Sequence, residues 1–261
     1  MSKNLTNIIL HTKNNLLNID DRSQHTFNKY YSSCFKENSE MWLYKNELNY
    51  IEIYDILSKS KKKLSILDVG SGCGSESLSF ASFGHDVHGI DIKADRVKTA
   101  VERSKLFNFK SPTFEVKSIF NITNKYDIIW MNQAFHHIEP REELCEHLRS
   151  LLNKDGKIVI AESNGSNILI QAQLFKVRGF NTITYFEDEL GNKLPYGNER
   201  VISSTGLTRI MRRYDFRSLT NRFYRVFPNK EKFFKIEKKF EKNKFPSFIY
   251  SHMVNSFEKI D

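Results

Sequence analysis

The sequence predicts an α/β fold, a mostly parallel sheet with helices on both faces, and three observations predict it. From about residue 64 to residue 162, short apolar runs alternate with amphipathic stretches. The apolar runs are near-continuous, the pattern of strands buried on both faces. A glycine-rich turn joins the first run to the first amphipathic stretch, and such sheets bind ligands at the carboxyl ends of their strands.

The elements follow in order. Met41, Leu43, Tyr44, Leu48, Ile51, Tyr54, Ile56 and Leu57 recur at helical spacing. Leu64 to Val69 reads as the first strand, followed by the glycine turn and a helix from about Ser75 to Phe83. Asp86 to Ile90 is the second strand. Ala94 to Phe107 is helical through Val97, Ala100, Val101 and Leu106, with Asp95 as its candidate cap. Thr113 to Val116 is a short strand and Tyr126 to Met131 a stronger one. Arg141 to Leu152 sets Leu144, Leu148, Leu151 and Leu152 on one helical face. Lys157 to Ala161 is a further strand after an Asp-Gly turn at Asp155 and Gly156. Residues 163–202 mix aromatics and glycines without a period. Ser203 to Tyr214 then reads as a helix capped by Ser203 or Ser204, and Phe216 to Phe227 alternates in part like a strand.

Composition bounds the class. Of the 261 residues, 39% are hydrophobic and 27% charged, which suits a folded chain rather than a disordered one. No apolar run approaches the roughly 20 residues that cross a bilayer. Met1 to Asp20 lacks the apolar block and cleavage site of a secretory leader, so cytoplasmic residence is expected. Cys34, Cys73 and Cys145 lie far apart with no CxxC pair, against a disulfide framework or a structural zinc site. The net charge of +9 gathers at Lys59 to Lys63 and Arg209 to Lys244. It would suit nucleic acid, anionic lipid or a phosphorylated substrate, and equally a plain solvated surface.

The first strand ends in Leu67-Asp68-Val69-Gly70-Ser71-Gly72-Cys73-Gly74. Glycines let a ligand touch the backbone, and amides at a helix start favour an electronegative group. The third glycine comes one residue sooner than in a dinucleotide GxGxxG, so the fit to pyrophosphate, and to a nicotinamide dehydrogenase, is imperfect. The second strand ends at Gly89-Ile90-Asp91-Ile92. Asp91 stands 21 residues after Gly70, where an acidic side chain accepts hydrogen bonds from both hydroxyls of a ribose.

With these residues in place the sequence resembles the class I S-adenosylmethionine-dependent methyltransferases, well over residues 64–162 and loosely elsewhere. Leu67 to Gly74 resembles the family's first motif and His88 to Asp91 its second. Tyr126-Asp-Ile-Ile-Trp-Met-Asn-Gln-Ala-Phe-His-His-Ile-Glu-Pro140 resembles its fourth, and Leu151 to Ala161 the segment that closes the core. The resemblance implies a Rossmann-like, doubly wound, mostly parallel seven-stranded sheet, in which Phe245 to Phe257 adds an antiparallel strand. It implies S-adenosyl-L-methionine as cofactor. Asp68, Gly70, Ser71, Gly72 and Gly74 would hold its methionine part, and Asp91 with Ile92 its ribose. Ser118, Ile119 and Phe120 would face the adenine, with Ser118 standing where many members have an aspartate. Asn132 and Gln133 would approach the sulfonium, and Tyr30 and Tyr31 would close over the cofactor. Residues 1–60 would form an N-terminal helical cap, and residues 61–261 the methyltransferase domain, with 163–202 as an acceptor-side lid insertion.

Methyl transfer from a sulfonium needs alignment and exclusion of water, and an oxygen acceptor must also lose a proton. His136 and His137, just past the fourth strand, are the candidate catalytic residues, as base or substrate anchor, with packing of the next helix as the alternative. No metal site is expected. The two histidines are adjacent and poorly placed to share an ion, and the acidic ligand set of magnesium-dependent catechol enzymes is not evident. Asn164, Tyr185, Tyr196 and Arg200 are the candidate acceptor contacts. The absence of an Asn-Pro-Pro-Tyr sequence points away from nucleobase amines, and Cys145 falls inside an amphipathic helix. The expected reaction is methylation, at oxygen, of a small-molecule, saccharide or lipid-linked acceptor. The alternatives are an RNA methyltransferase and a non-catalytic partner protein on the same fold, and nucleic acid is not the expected partner. The basic segment Asn229 to Lys244, with Phe233, Phe234, Ile236 and Phe240, either rests on a membrane surface or packs its aromatics on the body, packing being favoured. Oligomeric state is not legible.

Overall fold

The computed structural model describes residues 40–105, 111–187, 193–228, 230–242 and 245–260. Tyr30, Tyr31, Cys34 and the part of the expected N-terminal cap before residue 40 lie outside the described residues. The elements are α1 (Glu40–Lys59), β1 (Ser65–Val69), α2 (Ser75–Ser82), β2 (Asp86–Asp91), α3 (Ala94–Ser104), β3 (Thr113–Val116), β4 (Tyr126–Asn132), α4 (Arg141–Ser150) and β5 (Leu152–Ser163). They continue with α5 (Ile168–Arg178), β6 (Ile183–Glu187), β7 (Lys193–Gly197), α6 (Ser204–Arg213), β8 (Phe216–Tyr224), α7 (Phe234–Lys242) and β9 (His252–Lys259).

Seven strands form one sheet in the order β3-β2-β1-β4-β5-β9-β8. The pairs β1–β2, β2–β3 and β4–β5 are parallel, and β9 runs antiparallel to β5 and β8. This is the mostly parallel α/β sheet that the alternation of apolar runs and amphipathic stretches predicts. A separate hairpin pairs β6 with β7. The chain divides into two compact units, Met1–Ile122 with Phe227–Lys239, and Thr123–Val226 with Phe240–Asp261.

In the first unit, Ile66, Leu67 and Val69 bury the core of β1. Two glycines make room for one ring of β3. A Cβ on Gly89 would lie 2.6 Å from Phe114 Cδ1, and one on Gly74 would lie 2.7 Å from Phe114 Cζ and 2.9 Å from Ala100 Cβ. Helix α1 buries Met41, Tyr44, Leu48, Ile53, Tyr54 and Leu57. Tyr54 packs on Phe83 with ring centroids 5.0 Å apart, and its hydroxyl meets Ser79 Oγ at 2.5 Å. Tyr44 meets Phe234 edge to face at 5.8 Å, Lys45 pairs with Glu237 at 3.7 Å, and Glu237 accepts from Phe227 N. The basic segment thus packs its Phe234 on α1. Lys93, not Asp95, stands at the cap of α3, with no side-chain cap bond, and Asp95 lies in the first turn.

In the second unit, Ile128, Ile129, Trp130 and Met131 of β4 and Ile158 to Ala161 of β5 are buried. Each such large side chain contributes about 1.5–3 kcal/mol of transfer free energy. Strand β5 begins at Leu152 rather than Lys157. The Asp-Gly turn lies within it as an irregularity, where the register steps from Tyr126↔Leu152 to Ile128↔Lys157 and Asp155 takes φ 62°. Cys145 is buried on α4, where its Sγ lies 3.8 Å from Met211 Sδ of α6. Ser203 caps α6 by accepting from Gly206 N at 3.1 Å. Ser204 instead accepts from Asn255 Nδ2 of β9 at 2.8 Å.

Candidate active site

In the first unit the loop after β1 takes positive φ at Gly70, Gly72 and Gly74 (74°, 53° and 79°). An L side chain there costs about 1–2 kcal/mol. Gly70 N and Ser71 N both donate to Ile90 O, at 2.8 and 2.9 Å, and Gly74 N donates to Ser71 O. Gly72 N donates to Asp91 Oδ2 at 3.0 Å, so the loop is tied directly to the carboxylate that ends β2. Lys93 N donates to the other oxygen at 2.9 Å, and Arg96 stands 3.9 Å away. The three glycines do different work. A Cβ on Gly72 would meet nothing within 4 Å, whereas Gly74 is filled by Phe114 and Ala100. Ser71 Oγ is buried without a hydrogen-bond partner. Asp68 is buried and accepts from Ser77 Oγ at 2.5 Å. Burial, then the charge of Glu76, pushes its carboxyl up to about 8 against that hydrogen bond.

The loop after β3 joins the same network, since Lys117 N donates to Asp91 O at 3.0 Å. Ser118 caps the short helical turn Ile119–Asn121 by accepting from Phe120 N. Ile119 is buried, so Ser118 and Phe120 are the part-exposed members of that trio, and Ile92 is exposed.

In the second unit Asn132 ends β4, and Gln133 takes φ 52°, a conformation that costs a non-glycine residue energy. Gln133 N donates to Ala161 O at 2.8 Å, and its Oε1 accepts from Ser163 Oγ at 3.1 Å. A single helical turn, Phe135–His137, follows. His136 is 3% exposed, and its Nδ1 donates to Glu162 Oε2 at 2.5 Å. Glu162 also accepts from His136 N. His137 Nδ1 donates to Gly197 O at 2.9 Å, and its ring stacks on Tyr196 at 4.7 Å. Both Nε2 atoms turn to one carboxylate, His136 lying 3.5 Å from Glu199 Oε2 and His137 3.8 Å from Glu199 Oε1. Burial works against protonation of His136, but the charge and hydrogen bond of Glu162, aided by Glu199, outweigh it and raise its pKa. His137 is lowered, by burial first and then by His136.

The expectation that adjacent histidines are poorly placed to share an ion is revised in its geometry. The short helical turn swings the two rings to one side, and the ligand atoms of His136, His137 and Glu199 all lie within 4.8 Å of one another. The hairpin comes this close because residue 197 is glycine. A Cβ there would lie 2.1 Å from His136 O. Beside it, Arg200 Nη1 donates to Glu139 Oε1 at 2.7 Å and Arg141 Nη2 to Arg200 O at 2.8 Å. Asn164 is also corrected. It is fully buried, its Nδ2 donates to Ser247 O and Tyr250 O at 2.8 Å, and its Oδ1 accepts from Ser166 N, so it braces loops, out of an acceptor's reach. Tyr185 is 65% exposed on β6. Glu139, Glu162, Gly197 and Glu199 were not singled out by the sequence. Glu162 had a signal, directly following an apolar run at a strand's carboxyl end. Glu199 had none.

A parallel sheet with glycines and a carboxylate ending its first two strands is the arrangement of a nucleoside-binding α/β fold. Residues 60–189 match the family model of the methyltransferase domain. Over 117 residues, 42% of this chain, the sequence is 29% identical to the mitochondrial ubiquinone biosynthesis O-methyltransferase of Saccharomyces cerevisiae. Over 106 residues, 39% of the chain, it is 35% identical to malonyl-[acyl-carrier protein] O-methyltransferase 1 of Ilyobacter polytropus. These matches span 36% and 39% of the relatives' own lengths. In fold, the chain is similar to magnesium protoporphyrin IX methyltransferase of Synechocystis PCC 6803, solved with bound SAH. The TM-score is 0.58 at 15% identity, covering 91% of this chain and 95% of that one. A S-adenosylmethionine-dependent methyltransferase of Clostridium acetobutylicum aligns with TM-score 0.57 at 12% identity, covering 91% and 99%. Residues 60–189 therefore carry a methyltransferase domain, on a fold shared with S-adenosylmethionine-dependent methyltransferases.

The first unit's residues fit that cofactor. Open space over Gly72 admits a ligand against the backbone, Ser71 holds an orphaned hydroxyl, and Asp91 is fixed by two backbone amides with lone pairs left for ribose hydroxyls.

Proposed function

We propose that the chain methylates an oxygen of a small-molecule, saccharide or lipid-linked acceptor. The observation that carries this reading is the cluster of buried His136, part-exposed His137 and half-exposed Glu199, braced from behind by Glu162 and Gly197. An acceptor hydroxyl has to shed its proton as it attacks, and a braced cluster of acceptor atoms is the equipment for that. When bound, S-adenosylmethionine supplies the activated methyl: the sulfonium S–CH3 bond breaks as the O–CH3 bond forms, leaving the thioether S-adenosylhomocysteine. Gly70, Ser71, Gly72 and Gly74, with Asp68 steadying the loop, would hold its methionine part. Asp91 and Ile92 would hold the ribose, and Ser118, Ile119 and Phe120 the adenine. Tyr196, stacked on His137, and Arg200, held by Glu139, are the acceptor contacts this reading favours, with Tyr185 on the rim of the hairpin. Two of the relatives, both O-methyltransferases, support oxygen as the methylated atom. Cytoplasmic residence is part of the reading, supported by the free, buried thiols of Cys73 and Cys145.

The test is a screen of hydroxylated metabolites, saccharides and lipid intermediates with methyl-labelled cofactor, followed by mass spectrometry of the product. Label on an acceptor oxygen is expected. Label found only on RNA or on nitrogen would overturn the reading, as would full turnover in both His136→Ala and His137→Ala.

A further inference from the structure

The cluster in the second unit poses a problem of hydrogen-bond accounting. Gly197 O is a carbonyl and can only accept, so His137 Nδ1 carries the hydrogen between them. Glu162 likewise takes the hydrogen on His136 Nδ1. Each neutral ring then presents its Nε2 lone pair inward, toward a carboxylate that also accepts. With both rings neutral three acceptors converge, and a single proton on His136 Nε2 would serve Glu199 Oε2 at 3.5 Å but leave His137 Nε2 and Glu199 Oε1, 3.8 Å apart, as two facing acceptors. Protonating both rings would set two imidazolium ions with centroids 4.0 Å apart. One divalent cation satisfies all three acceptors at once.

The geometry suits one. Ligand atoms bound at about 2.1 Å in a tetrahedron stand about 3.4 Å apart. Here the two nitrogen-to-carboxylate distances are 3.5 and 3.8 Å, and all three ligand atoms lie within 4.8 Å of one another. Both histidines already have the outer partner that ligating imidazoles take up on the other nitrogen, a carboxylate on one and a backbone carbonyl on the other. Two imidazoles and one carboxylate, with positions left open, is a donor set for first-row transition ions rather than for magnesium or calcium, which prefer oxygen ligands throughout.

We infer that His136 Nε2, His137 Nε2 and Glu199 hold a divalent first-row transition-metal ion whose open position takes the acceptor oxygen. The inference rests on the reading above that the acceptor reaches this cluster, and says how its proton is lost. An oxygen ligated to such an ion gives its proton to solvent water far more readily than a free hydroxyl does. The ion undergoes no redox change. The acceptors it favours carry a hydroxyl that can ligate a metal.

The test uses the full chain, untagged, stripped with a chelator and dialysed, with Co2+ as a visible probe and Zn2+ in calorimetry. One equivalent of Co2+ should bind and give a d–d absorption band, and one equivalent of Zn2+ should displace it with micromolar or tighter affinity. Glu199→Gln should weaken Zn2+ binding at least tenfold. Glu199 sits half-exposed on a loop, so this variant is expected to fold; His137→Ala is the second variant, and circular dichroism checks both. Affinity for S-adenosylhomocysteine should stay within twofold in each. Failure of the wild-type chain to bind either ion, or binding that both variants keep, overturns the metal. If metal binding fails while His137→Ala still abolishes methylation with cofactor affinity intact, the acceptor reading stands and only the ion falls. If metal binds as described and both variants methylate at full rate, the ion stands apart from the acceptor, and its assignment to the acceptor oxygen is overturned.

Discussion

The two units differ in how their functional residues are assembled. In the first, glycine loop and carboxylate end neighbouring parallel strands, and one hydrogen bond, Gly72 N to Asp91 Oδ2, joins residues only 19 apart in sequence. In the second, His137 reaches Gly197 across 60 residues, and His136 reaches Glu162 across 26. The first arrangement is written into strand-turn-helix geometry and serves a shared cofactor. The second depends on the β6–β7 hairpin and the loop after it, and loops on a rigid scaffold are where specificity residues concentrate.

If the two are separable, mutations should divide cleanly between them. The largest effect is expected at the histidines. His136→Ala or His137→Ala should lower turnover about 10²–10⁴-fold, the usual worth of positioned proton handling, with cofactor affinity nearly unchanged. Loss of cofactor affinity in step with turnover would break the separation. Next, Gly197→Ala drives a Cβ to within 2.1 Å of His136 O and should cost about 3 kcal/mol of stability, read by urea denaturation, along with most of the turnover.

Gly74→Ala and Gly72→Ala sharpen the first unit. Gly74→Ala meets Phe114 and Ala100 at 2.7 and 2.9 Å and should cost about 2–3 kcal/mol of stability. Gly72→Ala meets open space, so it should cost only the φ penalty of about 1–2 kcal/mol and show itself mainly as weaker cofactor binding. Equal unfolding midpoints for the two would contradict these roles.

A further effect is one of pH. Burial raises the Asp68 carboxyl to about 8, against about 3.9 in the unfolded chain. The folded state therefore holds an extra proton through that window. The stability this provides is fully present below the unfolded value and is lost as pH rises toward and through 8. Asp68→Asn should flatten the decline relative to the native chain between pH 5 and 8, as read by unfolding midpoints. An unchanged slope would place the proton elsewhere.

Most of the sheet was legible because its cues are local. Buried strands announce themselves as apolar runs, and Ser203 caps α6 at the position its residue type suggests. Gly70, Gly72, Gly74 and Asp91 fall at the ends of neighbouring strands for the same reason, and the structure adds that Gly74 serves packing. What failed was long-range. Asn164 looked like an amide offered to an acceptor, but its partners, Ser247 and Tyr250, lie 83 and 86 residues away. Glu199 reads as an ordinary surface acid until the hairpin brings it to the histidines. Strand β5 starts early because an irregular register absorbs the Asp-Gly turn that read as its boundary. Adjacency of His136 and His137 suggested poor placement for a shared ion, and the single helical turn Phe135–His137 brings their ring centroids to 4.0 Å.

The most direct test is the calorimetric affinity for S-adenosylhomocysteine in Asp91→Ala set beside Glu199→Gln. A loss of at least tenfold, about 1.4 kcal/mol, is predicted for the first and a change within twofold for the second. Unchanged binding in Asp91→Ala, or an equal loss in both, would contradict a cofactor grip built in one unit and acceptor chemistry built in the other.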